Sequence, residues 1–368
     1  MVKPPVERGH HGTSRNPTRG RRRHGVARRR LLGPTGQRPI HRSFVRFDDG
    51  DEDPPQPHLS GSQVKAVLAD YDKRNDAAID KHLEGDPSGW SRANAAGLLA
   101  ADAFDTAFRK ASMDAGKVKG PSVSGASTQP SQADAWLGGG TDQDGQGRWM
   151  LTVRHRADKH ANSKGESSVA YSAWQSGSGT TGWKLFATAG SDGGSKPPSP
   201  GAVTPLSGTH KQAVANAISN SLYAIGNGNS ADFADASQLK RVREFGFVGG
   251  QKDIPATDRV RISYDCAGWG DRARSDARKA TLVGTQAVRM QRTGAMTLAM
   301  VTLDCDWTAA SDKYELWFSP EVAKVMNGST QPTHSLRRPA VLMLLLAVPD
   351  SGKPSVLGSG TRFLLPRA

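Results

Sequence analysis

The sequence predicts an α+β protein of two tandem units, each with helices first and an antiparallel sheet after, behind an N-terminal arm without a fold. Three observations carry this. Helical spacing precedes strand spacing in both halves, and consecutive strands are joined by short turns, which favours an antiparallel sheet over a parallel βαβ fold. A Gly/Ser/Pro stretch, GSDGGSKPPSPG, separates the halves. The first 58 residues lack apolar periodicity. The expected organisation is an arm over 1–58, a first domain over 59–189, a linker over 190–206 and a second domain over 207–368.

The chain has 368 residues, of which 36% are hydrophobic, with 41 Gly and 22 Pro. That length allows two cores, and the composition implies long irregular connections. The net charge of +14 is unevenly placed: residues 1–46 hold 13 Lys or Arg and one acid, whereas the other 322 residues hold 36 basic and 34 acidic groups. Basic character therefore belongs to the arm and says little about the body.

The arm is rich in Arg, Pro and Gly and cannot bury enough surface to offset its ordering entropy, so disorder is expected. It admits three readings. Arg21, Arg22, Arg23, Arg28, Arg29 and Arg30 form an anion-contact surface that would hold nucleic acid by counterion release, opposed in part by the acids of FDDGDEDPPQP. Ala27-Arg28-Arg29-Arg30-Leu31-Leu32 has the spacing of a twin-arginine export motif, but GPTGQRPIHRSFV follows where an apolar region belongs. Third, the arm is an over-extended or frame-damaged start.

In the first unit Ser62 is the expected cap of a helix with Val64, Val67, Leu68 and Tyr71 on one face, extending to Ile79. A second helix is expected over 91–111, with Leu98, Ala101, Phe104 and Phe108 inward. Lys117–Gly147 reads as polar loop. Strands follow at 148–156, 167–175 and 182–189. In the second unit Val214, Ile218, Leu222 and Ile225 mark a helix from Thr209 to Gly226, and a shorter helix spans 236–245. RVRISYDCA, KATLVGTQAVRM, MTLAMVTLDCDW and KYELWF read as strands. Ser319-Pro320-Glu321 opens a short helix that Asn327-Gly328 ends. AVLMLLLAV at 340–348 is too short to span a bilayer, which needs about 20 residues; between Pro339 and Pro349 it reads as a buried strand. TRFLLP is the last strand. Each unit would wrap a curved sheet around its helices, as cystatin-like or nuclear-transport-factor-like domains do.

Several stretches carry a resemblance: QVKAVLADYDKRNDAAI with Tyr71 and Asn75, RWMLTV after a Pro-rich loop, GWKLFATA, AVRMQRTGAMTLAMVTL, ELWFSPEVAKVMNG and AVLMLLLAVPDSGKPSVLGSG. Over residues 62–365 the chain resembles a family of uncharacterised actinobacterial extracellular proteins and lipoproteins with two tandem α+β domains of unknown function. The resemblance implies an extracellular or envelope location and transfers no catalytic residues. Members carry a signal peptide, commonly with a lipid-attachment cysteine, and neither is visible here; a chain truly starting at Met1 would be cytoplasmic.

No catalytic, cofactor or metal site is expected. Asp142, Asp144, Gln146 and Gly147 partly match a calcium loop, but Val153 stands where the bidentate Glu belongs. His155 and His160 read as exposed strand-end residues, and His210 as solvent-facing near a helix start. No GxSxG is present. Trp149, Trp174, Trp183, Trp269, Trp307 and Trp317 fall on strands or strand ends, where sheet packing accounts for them. Cys266 and Cys305 each follow an Asp near a strand end, with a Trp within three residues. Adjacent antiparallel strands would bring them into bonding range; the alternative is two small buried thiols. The expected function is non-enzymatic binding or scaffolding with an unknown envelope or extracellular ligand. The alternative is nucleic-acid association through the arm.

Overall fold

A computed structural model describes residues 59–118, 131–141, 148–156, 168–176, 179–191, 203–244, 260–266 and 288–366. The six arm arginines, the acidic run after them, the partial calcium loop from Asp142 to Gly147, His160, Trp269 and most of the linker lie outside the described residues.

Helix α1 (Gly61–Leu83) leads through a 3-10 turn to α2 (Trp90–Ala93) and α3 (Ala96–Asp114). Four strands follow: β1 (Ala135–Thr141), β2 (Arg148–Arg156), β3 (Ser168–Gln175) and β4 (Lys184–Ser191). The second half holds β5 (Val203–Thr204), α4 (Gly208–Asn227), α5 (Ser237–Glu244), β6 (Arg261–Cys266), β7 (Val288–Thr293), β8 (Met296–Ala310), α6 (Pro320–Val325), β9 (Ser335–Pro349) and β10 (Ser355–Phe363).

The helix starts follow capping chemistry. Ser60, not Ser62, caps α1, because only Ser60 has a glutamine three residues on. Its hydroxyl accepts from the Gln63 N–H, and the Gln63 side chain accepts from the Ser60 N–H at 2.8 Å. Ser207 and His210 repeat the arrangement on α4, and Gly228, at φ 79°, closes that helix. The single helix expected over 91–111 breaks at Asn94–Ala95. There the Ala95 N–H leaves the helix to bond the Leu185 carbonyl at 2.9 Å, and Ala96 takes a φ of 49°. Phe108 is exposed rather than inward. Asp312, Lys313 and Tyr314 form a bend, and among the described residues KYELWF pairs only through a Leu316–Thr333 bridge. β1 forms where a polar loop was expected, since Leu137 supplies a core contact that its flanking glycines obscure.

The strands of both halves make one antiparallel sheet in the order β1-β2-β3-β4-β10-β9-β8-β7-β5, and β6 pairs with the far end of β8. The last strand of each half is therefore hydrogen-bonded to the last strand of the other, with Ser359 opposite Gly190. β8 and β9 pair along their full 15 residues.

Strand alternation shows how this sheet is buried. In β9 Val341, Met343, Leu345 and Ala347 share a core with Leu151, Val153, Tyr171 and Phe186 of the first half. The intervening Leu342, Leu344, Leu346 and Val348 pack with Val214, Ile218 and Ile225 of α4 and with Leu239 and Val242 of α5. In the first half Met150, Trp174 and Leu185 turn the other way, onto Val64, Val67, Leu68 and Tyr71 of α1. The sheet thus folds over on itself: its two arms meet in the middle, and the helices lie outermost. This double burial is why AVLMLLLAV reads as a continuous apolar run. Gly138, at φ 86°, lies where the arms meet, for a Cβ there would lie 2.6 Å from Gln291 Oε1 of β7. α3 lies across the join, with Leu98 packed toward α1, Gly97 against Val341, and the Phe104 ring 6.2 Å from that of Phe363.

Candidate functional site

Two buried polar constellations stand out among the described residues. The first ties the helices of the first half to β10. The Tyr71 hydroxyl lies 3.1 Å from Asn75 Oδ1 and 3.2 Å from Asn94 Oδ1. Asn94 Nδ2 donates to Asp102 Oδ2 at 2.5 Å, and Arg362 of β10 donates to Asp102 Oδ1 at 3.1 Å and to Asp105. Alongside, the Thr106 hydroxyl donates to the Asp102 carbonyl at 2.7 Å and accepts from Trp90 Nε1 at 3.0 Å. With that proton committed, His82 Nδ1, 2.8 Å away, must be a donor to Thr106. Burial pushes the Asp102 carboxyl up to about 6 against the pull of Arg362, and burial also raises Tyr71 and lowers His82. Its donors and acceptors meet one another, so this set works as a clamp between the two halves.

The second constellation lacks that closure. Three same-face residues sit in register across the sheet: Tyr264 of β6 opposite Trp307 of β8, and Trp307 opposite Arg338 of β9. Arg338 is only 9% exposed. Its guanidinium carbon lies 3.1 Å from the Phe363 ring centroid, 4.8 Å from that of Trp307 and 5.6 Å from that of Phe318. So close an approach to Phe363 requires face-on stacking. Arg338 Nε has no hydrogen-bond partner, and neither has the buried Trp307 Nε1. The neighbouring ion pairs belong to other residues, Arg337 with Asp306 and Arg261 with Asp312. Burial lowers the Arg338 guanidinium to about 9, and Tyr264 opposes this only in part.

Magnitudes mark the site as unbalanced. A cation over an aromatic face gains about 0.5–2 kcal/mol, while burying an ion costs several kcal/mol. The rings engage the faces of the guanidinium, and its N–H donors point in its plane, where an acceptor is still wanted. Tyr264 is already engaged, its hydroxyl 3.3 Å from the Val242 carbonyl and 3.0 Å from Thr361 Oγ1.

One step along the same face, Cys266 lies opposite Cys305 and the two are joined in a disulfide. The bond pins β6 to β8 beside the Tyr264–Trp307 pair. Trp307, Trp149, Trp174 and Trp183 are buried, and Trp317 is half-buried. His155 is exposed and bonds Asp134 at 3.0 Å, while its backbone N–H and ring hold the Asp134 carboxyl below the usual range. His210 is not simply solvent-facing: its Nδ1 accepts from the Ser207 N–H at 3.0 Å and its Nε2 lies 3.3 Å from Asp350. No group of three or more His, Cys, Asp or Glu among the described residues is placed to hold a metal, and no helix among them is long and apolar enough to cross a membrane.

Arg338 is the residue that sequence reasoning missed. A signal was present, since Arg338 has the same strand parity as Leu342, Leu344 and Leu346 and so points with them into the interior. No family model, curated protein or solved structure matches the chain.

Proposed function

We propose that the chain is a non-enzymatic binding or scaffolding protein of the cell envelope or extracellular space, built from two tandem α+β units of cystatin-like or nuclear-transport-factor-like kind. In this reading it is a relative of the actinobacterial extracellular proteins it resembles. The observation that carries the proposal is the Cys266–Cys305 disulfide. Such bonds persist in oxidising compartments and are rare in the cytosol. The clamp around Asp102 spends its polar groups on one another and so serves to hold the two halves together.

The test is mass spectrometry of the native protein, recording its first residue, its cell fraction and the mass of the Cys266–Cys305 cross-linked peptide. A cross-linked chain in the envelope or medium is the expected result. Reduced cysteines in a cytosolic chain that starts at Met1 would overturn the proposal.

The charge distribution favours a second reading, nucleic-acid association through the arm, with 13 basic residues within the first 46. This reading expects DNA binding that falls steeply with salt and vanishes when residues 1–46 are removed. Binding retained by the truncated chain would exclude it.

A further inference from the structure

We propose that the Arg338 box is a binding site for the carboxylate of a small acid with an apolar body. The proposal deepens the binding reading above and names the ligand class. Three features define the site. Among the described residues Arg338 is a buried cation with no acidic partner, and Nε and Trp307 Nε1 are two buried donors without acceptors. Phe318, Phe363 and Trp307 supply apolar walls. The third feature is a way in. Two of those walls, Phe318 and Phe363, are only half-buried. Phe318 sits in the connection between β8 and β9, which is held by the Leu316–Thr333 bridge and not by a full strand pair.

The charge balance selects the ligand. One carboxylate neutralises one guanidinium, and its two oxygens match the in-plane donors of the fork. A phosphate dianion would leave a net negative charge against aromatic walls, which is unfavourable. The charged groups around the box do not supply the counter-ion. Asp306 is taken by Arg337, and Asp312 by Arg261. The Tyr264 hydroxyl is engaged by Val242 and Thr361. Among the described residues the hydrophobic cluster around the box includes Val260, Ile262, Ala309, Leu316, Leu336 and Ala340, with Tyr314 packed against it. An acid with a short aliphatic or aromatic body therefore finds one ionic contact and apolar surface around it.

The experiment uses the full oxidised chain. Thermal unfolding is followed in sodium hexanoate, sodium benzoate, sodium phosphate and sodium chloride at matched ionic strength, and ¹⁵N-indole spectra follow Trp307, assigned with Trp307→Phe. A saturable rise in Tm with hexanoate or benzoate is expected, with phosphate at least tenfold weaker and chloride inert. The Trp307 indole N–H resonance should move over the same concentration range. Arg338→Met should abolish both responses, and Arg338→Lys should weaken binding at least tenfold, because an ammonium lacks the planar fork. A peptide with a free C-terminal Leu and its amide are run in parallel. A response to the free peptide alone would assign the carboxylate to a chain end, and a response to hexanoate or benzoate assigns it to a free acid. An unmoved Trp307 resonance in the unmutated chain overturns the proposal even if Arg338→Met fails to fold, and so does an equal Tm response in Arg338→Met. Neither readout depends on cell location, so a failure here is distinguishable from a failure of the envelope reading.

Discussion

Asp102→Asn gives the most direct check on how the two halves are held together. Asp102 is 6% exposed, and burial raises its carboxyl from 3.8 to about 6 although Arg362 bonds it. For an acid whose folded pKa lies above its unfolded value, the folded state binds the proton more tightly. Stability from this group is therefore fully present below pH 3.8 and declines as pH rises through 6. A rise from 3.8 to about 6 corresponds to about 3 kcal/mol. An asparagine side chain has the same shape and no titration. With the Asn94 amide flipped, the introduced amide can donate to Asn94, accept from Arg362 and leave Tyr71 bonded to Asn75. Urea unfolding of both proteins at intervals from pH 3.5 to 7.5 should show the stability difference moving about 3 kcal/mol in favour of Asp102→Asn as pH rises. A difference that stays constant would show that Asp102 titrates normally. One that moves the other way would mean that the Arg362 ion pair outweighs burial, and would refute the reasoning.

Three further outcomes are expected. Reducing the Cys266–Cys305 bond, which spans 39 residues, should lower stability by about 4 kcal/mol, and Cys305, fully buried, should resist alkylation without unfolding; denaturation with and without reductant, and mass-detected labelling, check both. Gly138→Ala should destabilise on the order of 2 kcal/mol, since φ is 86° and the new Cβ would lie 2.6 Å from Gln291 Oε1 and 2.9 Å from the Trp149 carbonyl; a thermal melt with unchanged Tm would contradict the close approach of the sheet arms. Ser207→Ala should cost about 1 kcal/mol through loss of the α4 cap, measured by urea midpoint at constant slope.

What the sequence made legible was local. Val64, Val67, Leu68 and Tyr71 announced the α1 face, and Ser319-Pro320-Glu321 announced α6, because helix periodicity and caps are set by residues within a few positions. The apolar run around Leu344 announced burial, but not that alternate residues serve two different cores. The β4–β10 pairing could not be read at all, since it joins residues about 170 positions apart and leaves no periodic mark. β1 was hidden by Gly138, Gly139 and Gly140, which read as turn chemistry, although at Gly138 the glycine serves close approach within the sheet. Arg338 was overlooked because arginine signals surface in composition arguments, and only strand parity places it inside. The arginine arm, the loudest stretch by composition, lies outside the described residues.

The β4–β10 seam also has a consequence in time. A ribosome that has just finished β4 still has about 170 residues to add before β10 emerges, roughly 10–30 s at ordinary synthesis rates. Throughout that interval the Gly190 end of β4 lacks the strand it meets at Ser359, the kind of open edge that recruits other chains. Closure of α3 over the first half shields that end until the last strand to be made completes the sheet. Premature termination anywhere before β10 would leave the same edge open for good, so nonsense truncations near the C-terminus should aggregate rather than merely lose activity.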